Sequence, residues 1–255
     1  MRLVTWNVNS LRARLPRVLE LLVEHQPDVL CMQETKTEPD AFPHAELREA
    51  GYHAVDNSGG RWEGVAIVAR DGISLEDPRS GLDGQPVPSE ARWIEASVDG
   101  TRIVSTYVPN GRMVDSEWYE GKLQFLAAAA KRAADLRAPR LIAGDMNIAP
   151  ADLDVYDPRA FEGATHVTTK ERDALRTIEA TGVEDAYRVL HPDDVGYTWW
   201  DYRAGNFHRG LGLRIDLALV SPAIAERLTR VGIERNYRRG RRPSDHAPLF
   251  VEWDA

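Results

Sequence analysis

The sequence predicts an α/β fold of two packed sheets with helices on their outer faces. Three observations carry that prediction. Short apolar runs of strand length alternate with amphipathic helical patterns. The order strand, helix, several strands occurs twice. No shift in composition and no Gly/Ser-rich linker divides the 255 residues. A chain of this length can bury a sizeable core, so a single domain over residues 1–255 is expected.

The elements follow in order. Residues 3–8 (LVTWNV) read as a strand, and LRARLPRVLELLVEHQP after them as a helix with Pro16 near its start. Residues 28–34 (DVLCMQE) are the next strand. Residues 64–70, 92–98 and 102–108 are rich in β-branched side chains, and the last two are joined by Asp-Gly, a hairpin signal. Residues 118–137 form a helix around an AAAA run, because alanine has the highest helix propensity. Residues 140–147 run from strand into loop, and 169–182 form a helix with Gly182 as its C-cap. LRIDLALVS and PLFVEW are the remaining strands.

Composition excludes several classes. Hydrophobic content of 43% and charged content of 28% are ordinary for a globular protein. A net charge of −8 argues against a protein that coats nucleic acid non-specifically, yet leaves room for a local basic surface. The one cysteine, Cys31, rules out an intramolecular disulfide framework and sits in an apolar run as a buried structural thiol. No apolar stretch approaches the ~20 residues of a membrane span, and the beginning MRLVTWNVNS has no secretory pattern. A cytoplasmic location with no membrane association is expected.

Polar residues fall at the ends of the strand-like runs, where a loop presents them at a sheet edge. They are Asn7, Glu34, Asp145, Asn147 and the Asp245-His246 pair, with Asp216 inside its own apolar run. A carboxylate buried at Asp216 needs a donor or a cation, since an unpaired buried charge costs several kcal/mol. There is no Gly-x-Ser-x-Gly elbow, His-Glu-x-x-His helix or Walker A loop. What remains is a hard-oxygen set suited to Mg²⁺ or Mn²⁺, plus one imidazole. That chemistry suits phosphodiester hydrolysis: a cation offsets the anionic diester, a carboxylate activates or orients water, and an imidazolium held by another carboxylate donates to a phosphoryl oxygen. Asp216 and His246 are candidates for the last pair.

The blocks WNVNSLRARL, QETK, YVPNG, GDMNIAP, YTWWDYRAGNFHRGLGLRIDLALVS and PSDHAPL together resemble the exonuclease III type of abasic-site (AP) endonuclease. This belongs to the wider endonuclease/exonuclease/phosphatase superfamily, and the likeness runs from about residue 1 to 251. It implies a four-layer α/β sandwich with two central mixed β-sheets flanked by helices and the active site at one end. Carried over by position, Glu34 resembles the principal metal ligand with Asn7 beside it, and Asp245 a nearby ligand or organiser. Asp145 would align or deprotonate the attacking water, Asn147 would hold phosphate or water, and Tyr107 would contact the scissile phosphate. Trp199, Leu213 and Ile215 match the walls of the pocket for a flipped abasic sugar. Position 9 is Asn where some relatives carry an acid, so one tightly held metal is expected. Trp200 reads as packing, and Arg112 as a minor DNA contact.

Residues 234–242 (ERNYRRGRR) hold five arginines beside His246. Guanidinium forks suit phosphate recognition, so Arg241 and Arg242, with Arg203, Arg209 and Arg214 around the sugar pocket, are expected to bind the backbone. The resulting expectation is a monomeric Mg-dependent nuclease acting on duplex DNA with abasic sites or blocked 3′ ends. The alternatives are a phosphodiesterase of small non-DNA substrates and a non-catalytic DNA-binding module.

Overall fold

The structure, a computed structural model, describes residues 1–137 and 139–254. The chain begins with β1 (Arg2–Asn7), α1 (Leu11–His25) and β2 (Val29–Gln33), then α2 (His44–Glu49), β3 (Tyr52–Asn57), β4 (Val65–Arg70) and β5 (Glu76–Ser80). It continues with β6 (Trp93–Val98), β7 (Thr101–Tyr107), α3 (Glu117–Asp135), β8 (Arg140–Asp145), α4 (Thr169–Glu179), β9 (Glu184–Asp185) and α5 (Ala186–Leu190). Last come α6 (Asn206–Arg209), β10 (Asp216–Val220), α7 (Pro222–Ala225), β11 (Leu228–Ile233) and β12 (Leu249–Trp253).

The strands make two six-stranded mixed sheets, β11-β12-β1-β2-β4-β3 and β5-β6-β7-β8-β10-β9. Each has one parallel pair, β1 with β2 and β7 with β8. Parallel neighbours need a long crossover, and α1 and α3 supply it. Strand alternation then sorts the side chains. Leu3, Cys31 and Ile67 of one sheet meet Ile103, Leu141 and Val220 of the other between the sheets. Val4, Leu30 and Met32 point the other way, onto Val18, Leu21 and Leu22 of α1. Val104, Ile142 and Leu219 likewise face Phe125 and Leu126 of α3 and Ile178 of α4. Helix, sheet, sheet and helix are the four expected layers.

Local chemistry sets most boundaries. Asp99 and Gly100, at φ 47° and 76°, close the β6–β7 hairpin in the left-handed pair that such a turn requires. Ser116 caps α3 by accepting from Tyr119 N, and Thr168 with Glu171 forms a capping box on α4. Pro16 lies inside α1 rather than at its first turn. Gly182 is not the C-cap of α4; that place is taken by Ala180, with Gly182 two residues beyond at φ 92°. Sequence reading missed β3, β5, β9 and β11. Cys31 is fully buried, and burial pushes its thiol well above the ordinary range. Among the described residues no helix is long and apolar enough to cross a membrane.

The register places the site. Across three neighbouring strands, Tyr107 pairs with Asp145 and Asp145 with Asp216, so three polar residues share one row at one edge of the second sheet. In the first sheet Asn7 pairs with Gln33, which puts Asn7 and Glu34 at the corresponding edge.

Candidate active site

Asn7 ends β1 and directs both amide hydrogens at carboxylates, Nδ2 lying 2.7 Å from Glu34 Oε1 and 2.9 Å from Asp145 Oδ2. Glu34 follows β2 at φ 50°, a left-handed turn that swings its carboxylate inward. Its other oxygen lies 2.7 Å from Lys36 Nζ, which also donates to Asn9 Oδ1 at 2.7 Å. Asn9 Nδ2 donates in turn to Asp245 Oδ1 at 2.9 Å, and Trp199 Nε1 donates to Asp245 Oδ2 at 3.1 Å.

On the second sheet, Asp145 Oδ1 accepts the backbone N–H of Asn147 at 2.9 Å. Burial, with Asp216 and Glu34 nearby, raises the Asp145 carboxyl to about 7 against the pull of His246 and Asn7. His246 is 3% exposed, with Nδ1 2.8 Å from Asp216 Oδ2 and Nε2 3.8 Å from Asp145 Oδ2. Burial opposes its charge, but Asp216 and Asp145 outweigh burial and raise the imidazole to about 10. It is therefore an imidazolium near neutral pH, with Nε2–H turned to the Asp145 side. Two bonds hold the loop bearing it to β1: Trp6 Nε1 to His246 O at 3.0 Å and Ser244 Oγ to Asn7 O at 2.7 Å. Burial and the Glu34 and Asp145 charges hold the Tyr107 phenol well above its usual range, so it is a neutral donor, with Arg92 4.7 Å over its ring. Asn147, at φ 51°, places Nδ2 on Val108 O at 2.9 Å and accepts from Asn110 Nδ2 at 3.2 Å.

This donor set fits a hard divalent cation. Ligand atoms of Glu34, Asp145 and His246 lie within 4.8 Å of one another, and Asp216 Oδ1 is buried with no partner. Glu34 and Asp145 offer carboxylate oxygens there, with the Asn7 amide between them, and oxygen donors are what a hard cation prefers. Asp245 lies outside that cluster, its two oxygens hydrogen-bonded to Asn9 and Trp199.

The expected substrate contacts divide. Arg203, Arg209, Arg241 and Arg242 are exposed, Arg203 in an ion pair with Asp201. Arg214 is not available to DNA: it is fully buried, Nε 2.6 Å from Asp154 Oδ1 and Nη1 2.6 Å from Asp185 Oδ2. Its neighbours Leu213 and Ile215 pack into an apolar cluster with Val155 and Ala149, while the guanidinium is held by the two carboxylates. Leu213 is itself fully buried and Ile215 is 2% exposed, so only Trp199 of the three expected pocket walls presents surface. Trp200 is fully buried, as the packing reading expected. Arg238 is also buried, donating to Trp200 O. The open cleft lies on the other side, about 790 Å³, where Glu34, Tyr107 and Asn110 pass into a wall carrying Arg112 and Trp118.

Sequence reasoning missed Lys36, Asn110, Arg92, Lys122 and His166. The first two sit in the quoted QETK and YVPNG blocks and were legible there. His166 has no local signal: its Nδ1 lies 2.6 Å from Asn147 O, and burial with Lys122 nearby lowers it to about 4, so it is neutral.

Comparison with known proteins agrees with this geometry. A profile of the Endonuclease/Exonuclease/phosphatase family matches residues 4–246. Exodeoxyribonuclease III of Haemophilus influenzae is 34% identical over 99% of this chain and 100% of its own length. A 3′ phosphatase from Neisseria, solved with a product DNA hairpin, is 41% identical at TM-score 0.97, with both chains covered in full. An AP endonuclease from Archaeoglobus fulgidus is 37% identical at TM-score 0.96, again with full coverage of both chains.

Proposed function

The chain belongs to the endonuclease/exonuclease/phosphatase family, in its exonuclease III-type branch, and from that premise we propose a DNA-repair phosphodiesterase. It hydrolyses the backbone 5′ to abasic sites and removes nucleotides or blocking phosphates at 3′ ends of duplex DNA. The observation that carries the reading is the Asp216–His246–Asp145 row facing Glu34 and Asn7.

In this arrangement Asp145 aligns water and takes its proton as the water oxygen attacks phosphorus and the P–O bond to the departing sugar oxygen breaks. His246, kept charged by Asp216, donates from Nε2 to a non-bridging phosphoryl oxygen. Tyr107 and the side-chain amide of Asn147 hold the phosphate. Glu34, with Asn7 and Asp145 beside it, would hold a hard divalent cation, Mg²⁺ with Mn²⁺ as substitute, which would supply charge neutralisation of the diester and of the departing oxygen. Exposed Arg203, Arg209, Arg241 and Arg242 form the backbone-binding rim. The reading is of a monomeric catalytic domain over residues 1–255 working in the cytoplasm.

A second reading, confined to 3′ ends, is favoured by the burial of Leu213 and Ile215, which present almost no surface to an extruded sugar. One experiment tests both: a labelled duplex with an internal abasic analogue and a nicked duplex with a 3′ phosphate, each with Mg²⁺ and with chelator. Incision at the analogue supports the first reading. Dephosphorylation without incision supports the second. Turnover of neither refutes both.

A further inference from the structure

Outside the reacting cluster, behind its loops, lies a fully buried ion pair between Lys122 of α3 and Glu171 of α4. Every polar position in it is used. Lys122 Nζ donates to Glu171 Oε1, to Asn147 O at 2.7 Å and to Asn110 O at 3.3 Å. Glu171 accepts the His166 N–H at 2.9 Å on Oε1, and the Thr168 N–H and hydroxyl at 3.0 and 2.7 Å on Oε2. A buried pair is a poor way to stabilise a fold, because desolvating two charges offsets most of their attraction and apolar residues often do as well. The placement of the two remaining ammonium hydrogens gives this pair another purpose.

Those hydrogens hold the carbonyls of Asn110 and Asn147, the two residues whose amides meet at the phosphate side of the site. Asn147 sits at φ 51°, a left-handed turn that asparagine adopts more readily than other side chains but that still has to be held against extended alternatives. Its backbone is gripped at both ends. The N–H is on Asp145 Oδ1, and the C=O is on Lys122 Nζ and His166 Nδ1. Gly111, at φ 85°, lets the next loop close over the lysine; a Cβ there would stand 3.0 Å from Lys122 Cδ.

We propose that Lys122, seated by Glu171, is a positioning residue for hydrolysis: it holds Asn147 in its left-handed turn and thereby sets the orientation of the Asp145 carboxylate and of the phosphate-binding amides. The proposal rests on the nuclease reading above for its consequence in turnover, but the geometry it describes does not. Lys122 touches no reacting atom and acts only through Asn110 and Asn147.

Three variants test it: Lys122→Met, Glu171→Gln, and the two combined. The pair is neutral in the double variant, and the introduced amide keeps a carbonyl oxygen to accept the Thr168 N–H, so the cap on α4 survives. The double variant is expected to regain the melting temperature lost in Lys122→Met while kcat stays about 10²-fold down and KM moves by less than about threefold, as a misplaced catalytic group would dictate. Glu171→Gln alone, with the lysine present, is expected to lower kcat by far less than Lys122→Met. Recovery of kcat together with melting temperature in the double variant would show a pair that serves the fold only. Amide hydrogen exchange gives a readout free of turnover. The Asn147 N–H is expected to exchange at least about tenfold faster in the double variant, with core-strand amides unchanged. An unchanged Asn147 rate overturns the proposal even if the protein cuts no DNA, whereas an inactive wild type with a faster Asn147 amide in the variant overturns the nuclease reading alone.

Discussion

His246 Nε2 stands 3.8 Å from Asp145 Oδ2 while its Nδ1 is bonded to Asp216 at 2.8 Å, so one imidazole is held between two carboxylates with different tasks. Asp216 keeps the ring charged and fixes which nitrogen faces the reaction. Asp145, left with the weaker contact, keeps a proton affinity close to neutrality.

The first prediction concerns that imidazole. His246 is raised to about 10, so the ring should hold its proton through neutral pH, and Asp216→Asn should return it towards the ordinary value near 6.5. Nitrogen-detected NMR of the ring reads this directly. A wild-type ring that titrates near 6.5 would contradict the charge assignment. The stability linked to this group is fully present below 6.5 and is lost as pH rises through about 10, so alkaline unfolding should come earlier in wild type than its neutral-pH stability suggests.

Asp145→Asn should separate activity from stability. Turnover should fall by about 10²- to 10⁴-fold, the range for losing a general base. Asp145 has a raised carboxyl, so its contribution to stability is present below 3.8 and is lost as pH rises through about 7. The neutral amide should therefore leave the metal-free protein at least as stable as wild type at about pH 8. Differential scanning calorimetry at about pH 5 and about pH 8, on either side of that titration, checks the sign. A variant that is less stable on the alkaline side would count against the burial cost.

Cation binding should raise the melting temperature, because a ligand that binds only the folded state stabilises it by mass action. Glu34→Gln should abolish most of that rise while leaving the fold intact, since Glu34 is only partly buried at the sheet edge. Titration of Mg²⁺ or Mn²⁺ in a thermal-shift assay measures both proteins. An equal rise in the variant would move the cation away from Glu34.

The arginines should fall into two classes. Replacing exposed Arg241 and Arg242 by alanine should reduce the salt slope of DNA binding by about one unit each and leave stability untouched. Arg214→Ala should instead cost about 3–5 kcal/mol of stability, because it leaves Asp185 in the interior without its cation and Asp154 with Arg188 alone. Salt-dependent binding isotherms and chemical denaturation distinguish them. A stable Arg214→Ala protein with weakened DNA binding would restore Arg214 to the substrate surface.

Much of the scaffold was legible because central strands and helices write their burial into a period. Leu3/Val4 and Leu30/Cys31 alternate between the two cores, and α3 and α4 begin at side-chain caps. The strands that escaped notice, β3, β5, β9 and β11, are sheet edges or short neighbours, and Glu76–Ser80 carries almost no apolar signal because it faces water. The polar residues that the structure brings together were legible because such groups at strand ends are unusual enough to stand out. Arg214 misled for a physical reason: sequence names a charge without showing the carboxylates that meet it, and here Asp154 and Asp185 hold it in the interior. Lys122 was invisible for the converse reason, since a lysine on an alanine-rich helix reads as solvated until its neighbours are known.

The two sheets divide the chemistry between them. Asn7 and Glu34 come from the first, with His246 on the loop that leads into its strand β12, while Tyr107, Asp145 and Asp216 come from the second. His246 reaches its place through β12, whose partner is β1 at the far end of the sequence, with Thr5 set against Leu249. A chain in which β12 has not yet met β1 therefore has carboxylates but no imidazole facing them. Competence arrives only when distant ends of the chain have met, so the architecture itself delays the blade until folding is complete.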